Sequence, residues 1–302
     1  MKAINEIKIN NKYLPSLGRM FSPLVMDQIA LKGRSGYLSE VCSNSRLIEQ
    51  IDPSMPLAQF FDLIYMILFK SYRNEYIYKN AIANKILLGR HSLNTSHMLT
   101  EFRVGNCKAD VVVVNGTSAV YEIKSELDSF ARLENQVKNY LKIFDYINVI
   151  TSASQVNKLK SILPDKAGIL LLTNRNTIST IRESQSNRKN TNQSILFDSL
   201  RKNEYVKAIK EYFGIVPDVP NTHIYKECKK LFSKIPAELA HDLTINILRR
   251  RRNTRVLKEF IEEAPASLSA YAMSICSEKA KMQALMSRFS KNIGSVFIPE
   301  SV

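Results

Sequence analysis

Three carboxylates and one lysine, Glu101, Asp110, Glu122 and Lys124, are spaced so that short antiparallel strands would gather them. Carboxylates held together repel one another and raise each other's pKa, and a divalent cation relieves that repulsion. The four histidines (His91, His97, His223, His241) and four cysteines (Cys42, Cys107, Cys228, Cys276) lack the paired spacing of a zinc site or a disulfide framework. The expected ion is therefore a hard one held by oxygen, Mg²⁺ first and Mn²⁺ second. Such an ion activates water as a nucleophile and stabilises charge on a phosphate under attack. Lys124 would orient that water or hold a phosphate oxygen. These residue types suit metal-dependent phosphodiester hydrolysis.

The elements that must position them are short and rich in β-branched residues. Residues 98–104, 109–114 and 118–124 read as a three-stranded meander, separated by Gly105-Asn106 and Asn115-Gly116. Side chains alternate along a strand, so Glu122 and Lys124 share a face. A three-residue loop centred on Gly116 sets Asp110 opposite Glu122, and a two-residue turn at Gly105-Asn106 sets Glu101 opposite Asp110. One register thus predicts all four on one face. An amphipathic helix over 129–144 follows, with Phe130, Leu133, Val137, Leu141 and Phe144 as its apolar stripe. Beside that stripe Asp128, Arg132, Gln136 and Tyr140 form a polar row at four-residue spacing. Strands at 146–151 and 168–173 flank a helix near 155–163, and 177–182 adds an edge strand.

Asp110 followed by Glu122-Ile123-Lys124 resembles the motif of the PD-(D/E)XK nuclease superfamily, with Ala109 in place of the proline that names it. Gln136-Val137-Lys138-Asn139-Tyr140 is similar to the QxxxY element of its RecB-like branch. The resemblance covers about residues 75–175. It implies an α/β fold with a restriction-endonuclease-like mixed sheet (βββαβαβ) between helical N- and C-terminal flanks, and it implies a Mg²⁺-dependent nuclease, acting on DNA first and RNA second. The catalytic set it implies is Asp110, Glu122, Lys124, Glu101, Gln136 and Tyr140, and the metal set is Asp110, Glu122, Ile123, Glu101 and Glu75. Which of Glu75 and Glu101 is the third acid stays open. The helical flanks are similar to uncharacterised bacterial and prophage proteins.

Each residue also has a plainer reading. Glu101 can be an exposed strand carboxylate, and Glu75 a helix-start acid favoured by the dipole. Gln136 and Tyr140 can be a helix–sheet boundary pair. Asp128 can cap the helix and pair with Arg132. Arg249-Arg250-Arg251-Arg252 closes a helix, where cations are favoured, and four consecutive residues point around the axis rather than along one face.

The rest of the chain reads as helices. Ser22 to Lys32 closes at Gly33, Ser43 or Asn44 caps a short helix, and Glu75 to Leu88 ends near Gly89. Leu57 to Phe69 is apolar enough to be buried all round. Residues 183–194 are polar and aperiodic, a linker or mobile loop. Asp198 to Phe213 ends at Gly214, Pro236 opens a helix reaching about Arg252, Asn253 or Thr254 caps the next, and Pro265 precedes a long final helix. The expected domains are an N-terminal helical region over 1–74, the nuclease core over 75–183 and a helical domain over 184–302. The net charge of +15 suits a nucleic-acid partner, and it is spread along the chain rather than gathered in a tail. No signal peptide or membrane span is read, so the expected location is cytoplasmic, with no membrane partner. Two rival readings are a non-catalytic nucleic-acid binder that keeps the fold and a protein-interaction module of a mobile element, where a protein partner or a homodimer would fit.

Overall fold

The computed structural model describes residues 6–251, 254–276 and 278–297. The chain divides into two compact units, one of Met1–Gly89, Asn174–Thr177 and Arg252–Val302, the other of Arg90–Thr173 and Ile178–Arg251.

The first unit is helical. Leu57–Ser71 (α1) buries nine of its side chains, as an all-round apolar sequence requires. Helix Pro23–Lys32 ends where expected, at Gly33 with a φ of 70°. Glu75–Ile82 (α2) is opened by Asn74, whose side chain accepts from Ile77 N, and it runs on into a wide π-type turn over Ala83–Leu87. Two expectations fail here. Ser35 caps a helix over Gly36–Asn44, so Asn44 closes a helix instead of opening one. The long helix after Pro265 is broken into a turn at Ala266–Leu268 and helices Ser269–Ser274 and Lys279–Phe289. The cap position Asn253 lies outside the described residues. No helix among the described residues is long and apolar enough to cross a membrane.

The second unit is a mixed α/β structure around one six-stranded sheet in the order β1 to β6. The strands are β1 (His97–Val104), β2 (Cys107–Val114), β3 (Ser118–Lys124), β4 (Tyr146–Thr151), β5 (Gly168–Leu172) and β6 (Ile178–Arg182). β1, β2 and β3 form the expected antiparallel meander, β4 and β5 continue it in parallel, and β6 closes the edge antiparallel to β5. Leu133–Tyr140 (α3) crosses from β3 to β4 and packs Leu133, Val137 and Tyr140 on the sheet. It is shorter than the expected 129–144, because the chain on either side of it forms turns. Four further helices lie after β6: Gln193–Asp198, Lys202–Phe213, Asn221–Phe232 and Ala237–Leu248 (α4). Their inner residues, Phe197, Tyr205, Cys228, Phe232, Ile245 and Leu248 among them, belong to the same core cluster as the sheet. The helix expected from Asp198 begins later, at Lys202, and closes as expected at Gly214 with a φ of 76°, while Asp198 ends the helix before it.

The stretch 183–194 is tied down rather than loose. The buried Asp145 carboxylate accepts from Ser186 Oγ at 2.5 Å, Asn187 N at 3.0 Å and Arg188 N at 3.1 Å. Asn187 also donates through Nδ2 to the Leu141 carbonyl at 2.6 Å. Polar, aperiodic residues are here the partners of a buried acid, which composition does not reveal.

Candidate active site

β3 and α3 together build a small, closed charge network. Glu122 and Lys124 share the strand face that alternation dictates, and both are buried, at 1% and 6% exposure. Gln136 and Tyr140, one helical turn apart on α3, face them. Glu122 Oε1 accepts from Gln136 Nε2 at 2.5 Å and pairs with Lys124 Nζ at 3.0 Å. Lys124 Nζ donates in turn to Gln136 Oε1 at 3.1 Å, closing a ring of three side chains. On the other oxygen, Tyr140 OH lies 2.7 Å from Glu122 Oε2 and 3.0 Å from the Lys108 carbonyl. Burial, the adjacent Glu122 carboxylate and then Asp110 push the Tyr140 hydroxyl well above the usual phenol range. It is therefore fixed as a neutral donor at physiological pH.

Asp110 enters from β2. The β2–β3 ladder pairs Val111 with Tyr121 and Val114 with Ser118, around a three-residue loop whose Gly116 has a φ of 69°. The ladder stops at Val111 and Tyr121, one step short of the Asp110–Glu122 pair that the sequence register predicts. Here the side chain replaces the ladder: Asp110 Oδ2 accepts from Ile123 N at 2.8 Å. In a strand the N–H and C=O of one residue point to the same side, and those of the next residue to the other. The Lys124 carbonyl points to β4, where Thr151 Oγ1 donates to it at 2.6 Å. The Ile123 carbonyl accordingly points toward β2 and Asp110.

Glu101 stands opposite Asp110 in the β1–β2 register, but with a φ of 54°. The residues that join the core change parity at this point: 99, 102 and 104 on β1, and 107, 109, 112 and 114 on β2. Strict alternation over the meander is thus corrected, since a left-handed residue at Glu101 shifts the pleat by one. The carboxylates of Glu101 and Asp110 still come within 4.8 Å of one another, and Glu101 pairs with Lys108 Nζ at 3.0 Å. Lys108 was not foreseen by the sequence reading. Its signal was its place two residues before Asp110 on the same strand.

Most of the remaining candidates have partners of their own. Glu75 is the first residue of α2 in the helical unit and pairs with Lys79 at 2.5 Å. Asp128 turns back to Ser125, accepting from its N and Oγ at 2.9 and 2.6 Å, so it anchors the loop after β3 instead of pairing with Arg132. Arg132 is exposed at the helix start. In the arginine run, Arg250 pairs with Glu211 at 2.6 Å and Arg251 with Glu204 at 2.5 Å. Those two are structural ties between helices, and Arg252 lies outside the described residues.

Residues 69–270 match the family described as Bacteriophage P4 protein cII. The chain belongs to this family. The matched span contains every candidate residue named above and the whole sheet. Protein cII of Enterobacteria phage P4 is 22% identical over 164 residues, which cover 53% of this chain and 61% of that relative. The chain thus spans less than two thirds of the relative's length. A protein of unknown function from Silicibacter pomeroyi is 20% identical, over 31% of this chain and 62% of its own, with a TM-score of 0.26, too low to carry an argument. The family match and the cII relative tie the chain to phage proteins and do not bear on the nuclease resemblance.

Proposed function

We propose that this family member is a Mg²⁺-dependent nuclease that hydrolyses phosphodiester bonds, in DNA first. The observation that carries the reading is the buried ring of Glu122, Lys124 and Gln136 beside Asp110. A buried ion pair is a poor way to stabilise a fold, since apolar residues of the same volume usually do as well. Its place next to a further pair of carboxylates favours use of the charge. Asp110, Glu122, Glu101 and the Ile123 carbonyl offer oxygen alone, which fits Mg²⁺ or Mn²⁺ and not zinc. Glu122 Oε2, engaged by Tyr140 alone among the contacts named above, has lone-pair capacity to spare. When bound, the ion would supply an activated water and charge stabilisation at the phosphate. Lys124 holds Glu122 in place and presents an ammonium toward the substrate phosphate. Gln136 and Tyr140 fix the orientation of the Glu122 carboxylate, and the neutral Tyr140 hydroxyl takes no proton at working pH.

The test is incubation with plasmid and linear DNA, and with RNA, in Mg²⁺, Mn²⁺ or EDTA. Cleavage in metal, none in EDTA, and its loss in Asp110→Ala and Lys124→Ala are expected. No cleavage of any substrate, or full activity in both variants, would overturn the reading. A second reading, a non-catalytic nucleic-acid or protein-binding module, draws on the same network: both Glu122 oxygens already have protein donors, as a purely structural acid would.

A further inference from the structure

Two exposed cations of the sheet unit, Arg132 and Lys158, lie on the connections that leave the carboxyl ends of neighbouring parallel strands. β3 and β4 pair in parallel and end side by side at Lys124 and Thr151. Arg132 closes the connection from β3 to α3, and Lys158 lies in the helix Val156–Ile162 that follows β4. Lys158 Nζ stands 4.9 Å over the ring of Phe130, so the two connections touch two residues before Arg132. In open α/β sheets the crevice outside the carboxyl ends of the strands is where ligands bind.

The polar row of α3 gives Arg132 its place. Tyr140 and Gln136 engage Glu122, and Gln136 also engages Lys124, so the row runs antiparallel to β3. Four helical residues rise about 6 Å and two strand residues about 6.6 Å. Row and strand therefore stay in step, and Arg132, the next member of the row, is level with the chain just past Lys124, where the strand has ended. The helix itself does not favour a charge there, because a cation at a helix start opposes the macrodipole. Asp128, four residues earlier, is turned onto Ser125 N and Oγ. Glu134 is paired with Lys138 at 2.8 Å. Among the described residues, no acid pairs with Arg132 or with Lys158.

We infer that Arg132 and Lys158 hold the phosphate next to the one under attack, so that the DNA strand crosses the carboxyl ends of β3 and β4. The inference rests on the nuclease reading of Glu122 and Lys124. Lys124 is buried and tied to Glu122 and Gln136, so its reach is confined to the reacting phosphate. The two exposed cations supply what it does not, a grip on the strand beyond the reacting bond. An arginine fork holds a phosphate through two N–H donors, and a lysine ammonium holds it as a point charge.

The experiment is anisotropy titration of the full-length protein, in EDTA and over a salt series, with fluorescently labelled single- and double-stranded DNA oligonucleotides. Arg132→Ala and Lys158→Ala should each weaken binding several-fold and lower the salt slope by about 1, the signature of one lost phosphate contact. Arg132→Lys should recover most of the affinity. Lys160→Ala removes the same charge two residues from Lys158, on another face of the helix, and should bind as the wild type does. In Mg²⁺, Arg132→Ala and Lys158→Ala should raise KM several-fold and leave kcat within about twofold, since a contact beyond the reacting bond is made equally in the ground and transition states. Binding by both variants that matches the wild type overturns the inference, and leaves the nuclease reading untouched if cleavage persists. A wild type that binds neither oligonucleotide at low salt overturns it as well. Equal weakening in Lys160→Ala assigns the effect to net charge and also overturns it. Weakened binding in both variants of a protein that cleaves nothing keeps the phosphate site and discards the nuclease reading.

Discussion

Glu122 and Asp145 are both buried carboxylates of the sheet unit, and the protein accommodates them differently. Asp145 receives four neutral donors: Thr117 Oγ1 and Ser186 Oγ at 2.5 Å, and the backbone amides of Asn187 and Arg188 at 3.0 and 3.1 Å. Burial pushes its pKa up, but the hydrogen bonds from Ser186, Thr117 and Asn187 outweigh that and hold it below the ordinary carboxylate value. Nothing about this arrangement needs a cation from the protein or from solution. Glu122 instead takes a buried lysine as partner, with Asp110 close behind. The first arrangement closes a structure. The second holds two opposite charges together out of water, where a pair of apolar residues would usually stabilise the fold as well. On the proposed nuclease reading, Asp145 is a structural acid and Glu122 a working one.

The sharpest way to break this comparison is to remove the buried pair while keeping the hydrogen bonds that Gln136 and Tyr140 make to position 122, at the loss of the one from Lys124 to Gln136 Oε1. In Glu122→Gln with Lys124→Met, the Gln136 amide and the Tyr140 hydroxyl still find a partner at position 122. The urea midpoint should equal or exceed that of the wild type, because swapping a buried ion pair for neutral residues is commonly neutral or stabilising by about 1–4 kcal/mol. Cleavage should fall by about 10³-fold or more, the scale on which loss of a catalytic group acts. A variant that unfolds much earlier and, per folded molecule, cleaves as before would place Glu122 with Asp145 as a structural acid.

How much of this was legible beforehand follows the same division. Glu122, Lys124, Gln136 and Tyr140 lie within one strand–helix step, so period-2 and period-3.6 spacing alone bring them together. The Gly105 and Gly116 turns fixed the register of Glu101 and Asp110. What spacing missed was the left-handed residue at Glu101, which no local sequence signal announces and which shifts the pleat. The partners of Asp145 come from positions 117 and 186–188, and Ser118 Oγ meets His241 Nε2 at 2.8 Å. Such contacts are set by packing between distant segments, so the 183–194 stretch looked like a loop. The sequence likewise showed the apolar stripe of α3 but not the turns that shorten it.

Acid should sharpen the comparison from the structural side. His241 and Ser118 are fully buried, with Ser118 Oγ 2.8 Å from His241 Nε2 and Asp145 N donating to Ser118 Oγ at 3.0 Å. Asp145, Asp242 and Arg188 are the charged groups that bear on the ring. Burial lowers the His241 pKa, Asp145 and Asp242 raise it, Arg188 lowers it, and the net shift is downward. The unfolded chain therefore binds a proton that the folded chain refuses. Stability is full above the ordinary imidazole pKa of about 6.5 and declines as pH falls from there. Asp145, also lowered, contributes above the ordinary carboxylate pKa of about 4 and loses that contribution below it. Urea midpoints measured from about pH 8 to pH 3 should fall in these two windows. His241→Gln should flatten the upper one and leave the lower. An upper step that persists in His241→Gln would assign it to another group.

The smallest expected effect is that of Tyr140→Phe, and it tests what holds Glu122 still. The ring is packed at 5.9 Å from Phe144, which in turn sits 6.0 Å from Phe102, and phenylalanine keeps those contacts. Only the hydroxyl goes, and with it the single O–H shared by Glu122 Oε2 and the Lys108 carbonyl. That should cost about 1 kcal/mol of stability, the usual net worth of a hydrogen bond. Glu122 Oε1 remains clamped by Gln136 and Lys124, so the carboxylate keeps its position and cleavage should fall only several-fold. The raised pKa of the phenol argues in the same direction, because a hydroxyl kept neutral cannot act as a base near pH 7. If Tyr140→Phe instead abolished cleavage as completely as the Glu122→Gln, Lys124→Met pair, with the fold intact and a shifted pH–rate profile, the hydroxyl would be transferring a proton. The neutral hydrogen bond that here resembles those around Asp145 would then belong to the chemistry, and the line between the two acids would have to be redrawn around Tyr140.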